Sequence, residues 1–197
     1  MTSVDVKTDL RRHSLARRDL ISAHEAQEAA AKIAARALAL VHELAPQARD
    51  EGEVVSVYWP IRSELNTRPL LEALAAGGIT TVLPVMTAVK QPLVFRAFTP
   101  GDELVKGPFG LSEPANGRPA LDPDIVFAPL AAFDRRGFRL GYGGGIYDAT
   151  LADLRARRTV IAIGVAYACQ EAEAVPTEPH DQRLDYLLTE RELIGFR

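Results

Sequence analysis

Short apolar runs alternate along this chain with longer segments that have helical spacing. The apolar runs are rich in Val, Ile, Leu and Phe and are bounded by turn residues, which is typical of buried strands. They lie at residues 54–58, 79–84, 93–98, 124–130, 159–167 and 185–189. Because helical segments separate most of these runs, the pattern predicts an α/β fold with a mostly parallel sheet and helices on its faces. The short connection between 79–84 and 93–98 predicts one antiparallel pair.

The helical segments have recognisable ends. Helices are predicted at residues 4–18, 22–44, 67–76 and 146–157. Ser22 and Glu25 have the spacing of a capping box, which opens the second helix, and Pro46 follows that helix. Residues 100–119 are rich in proline and glycine, so we expect an irregular surface segment there.

A dense cluster of glycines stands out in the segment RLGYGGGIYD at 139–148. Glycine lets backbone N–H groups converge on one point, and the helix start that follows adds unpaired N–H donors, so the segment predicts an anion site. It lacks the lysine of the Walker A motif, and Ile146 stands where the dinucleotide fingerprint G-x-G-x-x-G requires glycine. A glycine-rich turn that only joins a strand to a helix is the alternative interpretation.

Composition narrows the class of protein. The chain has 197 residues, of which 47% are hydrophobic and 25% are charged, and this suits one domain over 1–197. That domain would comprise N-terminal helices at 4–45 and an α/β core at 54–190. The net charge of −3 gives no overall positive field for a nucleic-acid backbone, so we expect no nucleic-acid partner.

The cellular location is predicted from what the sequence lacks. No window approaches 18 uninterrupted apolar residues and the first residues have no signal-peptide core, so we expect a cytoplasmic protein with no membrane partner. The single cysteine, Cys169, excludes an internal disulfide. No HExxH, CxxC or GxSxG motif is present, which leaves a zinc site and a hydrolase triad unsupported.

Charged residues outside the glycine segment are further candidates for a site. Lys7 and Arg11 are four residues apart, so on a helix they point the same way and suit a polyanion, although a solvated basic face is the alternative. Asp148 follows the glycines in the first helical turn, where it is either a Mg²⁺ ligand or a carboxylate that interacts with the helix dipole. Glu64 follows the first strand, where ligand crevices open in parallel sheets, or it is a plain turn glutamate.

Four segments together resemble the 5-formyltetrahydrofolate cyclo-ligase family, also called methenyltetrahydrofolate synthetases. They are KTDLR at 7–11, YWPIRSELNT at 58–67, FDRRGFRLGYGGGIYD at 133–148 and VPTEPHDQRLDYLLTE at 175–190. The resemblance implies a three-layer fold similar to the ribose-phosphate isomerase and CoA-transferase group. It also implies that 5-formyltetrahydrofolate and MgATP give 5,10-methenyltetrahydrofolate, ADP and phosphate, because phosphorylation makes the formyl oxygen a good leaving group.

The resemblance assigns roles to individual residues. Lys7 and Arg11 would hold the ATP phosphates, Glu64 would grip the pterin of the folate with Trp59 beside it, and Asp148 and Asp185 would handle Mg²⁺. The nucleotide loop would comprise Arg139, Leu140, Gly141, Tyr142, Gly143, Gly144, Gly145, Ile146 and Tyr147, with Arg139 and Tyr147 catalytic. The loop residues from Tyr142 to Ile146 would also contact the substrate. A monomer or weak homodimer is expected.

The glycine segment departs from the commonest form of the family motif. Tyr142 stands where many members have arginine, and Ile146 where many have an aromatic residue. A lost charge-assisted hydrogen bond is worth roughly 1.5–3 kcal/mol, so nucleotide affinity falls unless Arg135, Arg136 or Arg139 supplies the charge. The departures leave a non-catalytic binding module of the same fold as one alternative. A sugar-phosphate isomerase of similar architecture is another.

Overall fold

The computed structural model describes residues 3–44, 53–107 and 109–196. The helices are α1 Ser3–Arg18, α2 Ala23–Leu44, α3 Arg68–Ala76 and α4 Ile146–Arg157, with a short 3-10 helix at Ala168–Gln170. The strands are β1 Val54–Ser56, β2 Thr80–Val85, β3 Val94–Ala97, β4 Leu104–Lys106, β5 Ser112–Pro114, β6 Ile125–Pro129, β7 Ala132–Phe133, β8 Arg139–Leu140, β9 Ile161–Val165, β10 Tyr186–Leu188 and β11 Leu193–Gly195.

Seven of the strands form one sheet in the order β11-β10-β9-β6-β1-β2-β3. The five central strands are parallel to one another. At each edge an antiparallel strand is added, β3 beside β2 and β11 beside β10. The predicted mostly parallel sheet and the predicted antiparallel pair are therefore both confirmed.

The central strands are buried on both faces, which explains their continuous apolar sequences. In β6, Ile125 and Phe127 belong to one core cluster, and Val126 between them belongs to the other. Helices α2 and α3 cover the first face, where Ile33 packs in the same cluster as Phe127. Helix α4 covers the second face through Leu151. The result is the predicted three-layer α/β arrangement.

The capping box forms at the start of α2. The Ser22 backbone N–H donates to Glu25 Oε2 at 2.9 Å, and the Glu25 N–H donates to Ser22 Oγ at 3.3 Å. The helix is described as far as Leu44, and the predicted end near residues 45 and 46 lies outside the described residues. No helix in the described ranges is both long and apolar enough to cross a membrane.

The expectation of an irregular segment at 100–119 is wrong for Leu104–Lys106 and Ser112–Pro114, which are strands. Strands β4 and β5 pair there as a short antiparallel hairpin, with Leu104 opposite Pro114 and Lys106 opposite Ser112. The hairpin is a separate two-stranded sheet, so Pro114 interrupts no central ladder. Its three-residue strands are too short to show a sequence period, and the same is true of the β7–β8 pair and of β11, which were not predicted.

The order of the strands positions a crevice. From β1 the chain proceeds outward through β2 to β3, and after the β4–β5 hairpin it returns to β6 on the other side of β1 and proceeds outward in the opposite direction. In parallel α/β sheets a ligand crevice opens at the carboxyl ends of the strands on either side of such a switch point. The chain segments that follow β1 and β6 therefore border the crevice.

Candidate active site

The glycine segment forms a loop between β8 and α4. Gly143 has a φ of 103° and Gly145 a φ of 63°, backbone conformations that residues with a side chain rarely adopt. Gly145 is the N-cap of α4, and no side chain caps this helix start in the described part of the chain. Unpaired N–H groups and the positive end of the helix dipole thus face the space beside the loop.

On one side of the loop lies a largely apolar pocket at the carboxyl edge of the sheet. It is lined by Tyr58, Trp59, Ile61, Glu64, Pro84, Met86, Leu93, Leu111, Ser112 and Pro129, together with loop and helix residues Arg139, Gly141, Tyr142, Gly144, Gly145, Ile146, Tyr147 and Asp148. Trp59 is fixed between two neighbours. Its ring meets Phe98 edge-on at 5.8 Å, and Arg68 Cζ lies 4.5 Å from its centroid. Such a pocket suits a flat ring with few polar groups.

On the other side of the loop lies a polar pocket. It is lined by Val4, Lys7, Thr8 and Arg11 from α1, by Arg139, Leu140, Gly141, Gly143, Gly145 and Asp148, and by Glu178, His180 and Asp181. Arg11 Nε donates to the Gly141 carbonyl at 2.8 Å, and burial lowers the pKa of Arg11. Lys7 Nζ lies 3.2 Å from Asp181 Oδ2 and 3.5 Å from Glu178 Oε1. This pocket suits a polyanion, which would compete with these acceptors for Lys7 and Arg11.

The two pockets share one wall. Arg139, Gly141, Gly145 and Asp148 line both of them. Arg139 is buried, and its Nη2 donates to Asp148 Oδ1 at 2.9 Å while Nη1 donates to the Gln182 carbonyl at 2.6 Å. Burial lowers the pKa of Arg139, and the Asp148 carboxylate opposes that shift. A guanidinium stays protonated even so, which leaves a fixed positive charge between the pockets.

Glu64 is held in the apolar pocket with only 9% of its surface exposed. Its Oε2 accepts the Ile61 N–H at 2.9 Å. Burial raises the pKa of Glu64, while the Ile61 N–H, a hydrogen bond from Tyr142 and the charge of Arg18 act in the opposite direction. Burial thus favours the neutral form of Glu64, and these three neighbours favour the charged form.

Tyr142 and Tyr147 line the same pocket beside Glu64. Burial raises the pKa of both phenols, and the negative charge of Glu64 raises each of them further. Both hydroxyl groups are therefore neutral near neutral pH and can donate a hydrogen bond. Tyr142, Ile146 and Tyr147 lie on the apolar side of the loop, whereas Gly143 and Leu140 lie on the polar side.

The structure thus brings together every candidate site residue of the sequence except Asp185. Asp185 directly precedes β10, at the amino edge of the sheet, away from the carboxyl edge where the pockets open. Its Oδ2 accepts from Arg155 Nη2 at 2.9 Å and from the Ala162 N–H at 2.8 Å. The magnesium role predicted for Asp185 is therefore not supported by its position, because strand β10 carries it to the opposite edge.

Asp148 is the predicted magnesium ligand that lies at the pockets. Within the described ranges, no group of three or more His, Cys, Asp or Glu side chains could hold a metal ion. Asp148 lies in the shared wall, where its Oδ1 accepts from Arg139 and from the Gln182 N–H at 3.0 Å. Mg²⁺ is commonly bound by one or two carboxylates plus substrate phosphates, so Asp148 fits a metal that arrives with a nucleotide.

Two of the arginines proposed to offset the missing charge at Tyr142 lie elsewhere. Arg135 pairs with Glu171 at 2.6 Å and with Glu192 at 2.7 Å, and Arg136 pairs with the buried Asp134. Neither lines a pocket, whereas Arg139 lines both.

Sequence analysis missed Arg18. It lies on the same predicted helix as Lys7 and Arg11 but was not singled out as a candidate; it is only 4% exposed, and its Nη1 donates to the Tyr142 hydroxyl at 2.6 Å. The signal was present, because Lys7, Arg11, Ser14 and Arg18 recur at intervals that place them on one face of a helix. Sequence analysis also did not predict that Glu178, His180 and Asp181 border the polar pocket.

The fold and the paired pockets define an α/β protein in which an apolar and a polar pocket meet at one glycine-rich loop. The chain belongs to the 5-formyltetrahydrofolate cyclo-ligase family, whose sequence model matches residues 3–190. It is accordingly a ligase of folate one-carbon metabolism, and the family enzyme uses ATP.

Individual relatives agree with the family. The 5-formyltetrahydrofolate cyclo-ligase of Haemophilus influenzae is 35% identical over 66% of this chain and 72% of its own length. The enzyme of the same name from Escherichia coli K12 is 35% identical over 70% of this chain and 78% of its own length. The NMR structure of the Aquifex aeolicus 5,10-methenyltetrahydrofolate synthetase superposes with a TM-score of 0.74 at 27% identity, covering 98% of this chain and 93% of that one.

Proposed function

We propose that the protein converts 5-formyltetrahydrofolate to 5,10-methenyltetrahydrofolate, with hydrolysis of ATP to ADP and phosphate. The observation that carries the proposal is the pair of pockets, one apolar and one polar, that meet at a single wall. Family membership supplies the reaction. The geometry supports a particular division of labour among the residues.

The apolar pocket would hold the pterin ring. Glu64 offers two carboxylate oxygens to the N–H donors at the ring edge, and one of them is already oriented by the Ile61 N–H. Trp59, held by Phe98 and Arg68, gives the ring an apolar surface. A buried acceptor that matches ring donors contributes specificity, because an analogue without those donors leaves the carboxylate unpaired.

The polar pocket would hold the ATP phosphates. Lys7 and Arg11 bring two cations from α1, and the loop brings backbone N–H groups at the uncapped start of α4. Arg11 is already fixed on the Gly141 carbonyl, so it is positioned before a nucleotide arrives. Pre-positioned donors lower the cost of ordering the site around the phosphates.

Chemistry would take place at the shared wall. The formyl oxygen attacks the γ-phosphorus, and the bond from that phosphorus to the bridging oxygen of ADP breaks. The folate N10 then attacks the formyl carbon and loses its proton, and the phosphorylated oxygen departs as inorganic phosphate. Arg139, buried between the pockets with a fixed charge, stabilises the negative charge on the transferred group. The Tyr147 hydroxyl donates a hydrogen bond from the apolar pocket, where the folate would lie.

Asp148 would hold Mg²⁺ together with the phosphates. The polar pocket already contains Asp148, Glu178 and Asp181 beside its cations, so a triphosphate would add negative charge to a site that is not strongly positive. A divalent cation that bridges phosphate oxygens neutralises developing charge in phosphoryl transfer. The position of Asp148 beside Arg139 supports this assignment.

We also propose that the enzyme acts in the cytoplasm as a monomer or weak homodimer. Cys169 is an unpaired thiol, in keeping with a reducing compartment. Analytical ultracentrifugation with and without nucleotide measures the assembly state.

The test is a spectrophotometric assay for methenyltetrahydrofolate. Purified protein, 5-formyltetrahydrofolate, ATP and Mg²⁺ should give product with one ADP per turnover, and omission of ATP should stop the reaction. Absence of ATP-dependent product would overturn the proposal. Calorimetry separates the alternative: a non-catalytic binding module binds the folate and the nucleotide without releasing ADP.

A further inference from the structure

The carboxyl end of α1 holds a buried cation that contacts Tyr142, a residue of the apolar pocket. Arg18 is only 4% exposed, although it lies on a helix that is otherwise mostly polar and exposed. Its Nη1 donates to the Tyr142 hydroxyl at 2.6 Å, and its Nε donates to Ser63 Oγ at 3.1 Å. The guanidinium carbon also lies 5.8 Å from the centre of the Tyr142 ring. Arg18 is therefore held by Ser63 and by Tyr142, and the Ser63 hydroxyl in turn donates to Asp19.

Tyr142 links this cation to the carboxylate. The phenol oxygen accepts from Arg18, so its own proton is free to point to Glu64, and a hydrogen bond from Tyr142 favours the charged form of that carboxylate. The charge of Arg18 acts in the same direction. A chain of hydrogen bonds that starts at a cation polarises each member toward the carboxylate at its end.

The groups that face Glu64 come from every neighbouring element. They are Arg18 from α1, Ile61 and Arg62 from its own turn, Tyr58 beyond β1, Tyr142 from the loop and Tyr147 from α4. Arg18 is the buried cation among them, since Arg62 is exposed to solvent. A solvent-exposed charge is screened by water and salt. The charge of the buried Arg18 therefore lowers the pKa of Glu64 more than the charge of Arg62 does.

We propose that Arg18 is a positioning residue for the folate pocket, which holds the Tyr142 hydroxyl against Glu64 and so keeps the Glu64 carboxylate aimed at the pterin donors. This inference rests on the proposed function and deepens it. Arg18 has no proposed role in nucleotide binding, because it does not line the polar pocket that contains Lys7 and Arg11.

The test compares Arg18→Met and Tyr142→Phe with the wild-type enzyme. Each variant should raise the KM for 5-formyltetrahydrofolate, Arg18→Met by about ten- to a hundredfold because it removes a charge-assisted hydrogen bond. The KM for ATP should change by less than about twofold. Arg12→Met is the matched control, since Arg12 is an exposed arginine on the same helix with a 70% exposed side chain. Equal effects of Arg18→Met on both KM values would overturn the proposal.

The pH profile separates positioning from simple structural support. Glu64 must lose its proton to accept from the ring, so kcat/KM for the folate should fall on the acid side of its pKa. Removal of Arg18 withdraws a group that lowers the pKa of Glu64, so the acid limb should move to higher pH. Glu64→Gln should abolish that limb. An acid limb that does not move in Arg18→Met contradicts the proposal.

A double-mutant cycle completes the test. If Arg18 acts through Glu64, Arg18→Met should add little to the folate defect of Glu64→Gln, and fully additive effects would overturn the inference. Circular dichroism and thermal melts of each variant show whether the fold is retained. Tyr142→Phe keeps the ring and removes only the hydroxyl, so it reports on the link even where Arg18→Met unfolds.

The failure of this inference is distinguishable from failure of the proposed function. A wild-type enzyme that turns over folate with ATP, combined with an unmoved acid limb in the variants, would overturn the role of Arg18 alone. A wild-type protein that neither binds 5-formyltetrahydrofolate in calorimetry nor turns it over would overturn both.

Discussion

Burial decides what each arginine of the first helix does. Arg12 and Arg18 are the same residue type, six positions apart, and the sequence around them looks equally basic. Arg12 makes a surface ion pair with Asp9, an interaction that is worth at most about 1 kcal/mol. Arg18 is enclosed beside Tyr142. Residue type and local charge could not separate the two, because Tyr142, which encloses Arg18, is 124 positions away in the chain.

The spacing of glycine and charged residues in the sequence was sufficient to predict most residues of the site. The glycine loop, Lys7, Arg11 and Glu64 were identified from sequence and lie at the two pockets. Asp185 was assigned with them by resemblance but lies at the other edge of the sheet. A sequence motif gives the position of a residue in the chain. The edge of the sheet at which that residue lies depends on whether it precedes or follows its strand.

Asp148→Asn should lower kcat by about ten- to a hundredfold, because it removes a charged partner of Arg139 and the proposed metal contact. Extra Mg²⁺ should restore part of the loss. Steady-state kinetics over a range of Mg²⁺ concentrations measures both effects. Asp153→Asn is the control, since Asp153 lies on the same helix in an exposed pair with Arg157. A loss that is indifferent to Mg²⁺ would reassign Asp148 to orienting Arg139.

At the scale of elements, length decided which were predictable. The long helices and the buried strands were predicted because each spans enough residues to show a period or an apolar run. The β4–β5 hairpin, the β7–β8 pair and β11 were missed because strands of two or three residues show neither by themselves. Strands β1 and β10 are as short, but they lie within the apolar runs 54–58 and 185–189. The β4–β5 hairpin matters to function, since Leu111 and Ser112 reach the apolar pocket.

Ser22→Ala should lower the free energy of unfolding by about 1 kcal/mol, because it removes the oxygen that accepts the Glu25 N–H at the start of α2. The KM values should not change, since Ser22 lines neither pocket. Urea denaturation followed by circular dichroism measures the stability. Ser22→Thr keeps a capping oxygen and should be close to wild type. An unchanged midpoint for Ser22→Ala would mean that the box adds nothing to the stability of α2.

At the scale of the whole molecule, the order of the strands was beyond the sequence. Turn signals and periods report on neighbours in the chain, whereas the pairing of β6 with β1 joins residues about seventy positions apart. That pairing creates the switch point, and the switch point brings the turn with Glu64 opposite the glycine loop. The alternation of strands and helices in the sequence was enough to predict the fold class. The arrangement of the site could not be predicted without the order of the strands in the sheet.

The two pockets predict separable effects of ligands on stability. ADP or 5-formyltetrahydrofolate alone, each at about 100 times its Kd, should stabilise the protein by about 2.7 kcal/mol, or roughly 5–10 °C in Tm. Arg11→Ala should reduce the shift at a fixed concentration of ADP and leave the folate shift unchanged, because Arg11 lines only the polar pocket. Differential scanning fluorimetry measures both shifts, with Arg12→Ala as the control. Equal loss of both shifts would argue against two separate sites.

The first helix is attached to the molecule mainly by polar contacts. Apart from Leu10, which packs on a small cluster, its described residues contribute nothing to the apolar clusters of the core. Its anchors are hydrogen bonds such as Ser14 Oγ to the Ala131 carbonyl at 2.7 Å and Arg11 to the loop. Elements with little buried apolar surface open at lower free energy than the core does.

Local opening of α1 would therefore remove Lys7 and Arg11 from the polar pocket and Arg18 from Tyr142 while the sheet stays folded. Amide hydrogen exchange should show α1 exchanging faster than β6 and β9, and either ligand should slow the exchange of α1 more than that of the sheet. Exchange of α1 at the same rate as the central strands would contradict this. The helix that supplies Lys7 and Arg11 to the polar pocket and holds Tyr142 of the apolar pocket would then also determine the fraction of time for which both pockets are fully formed.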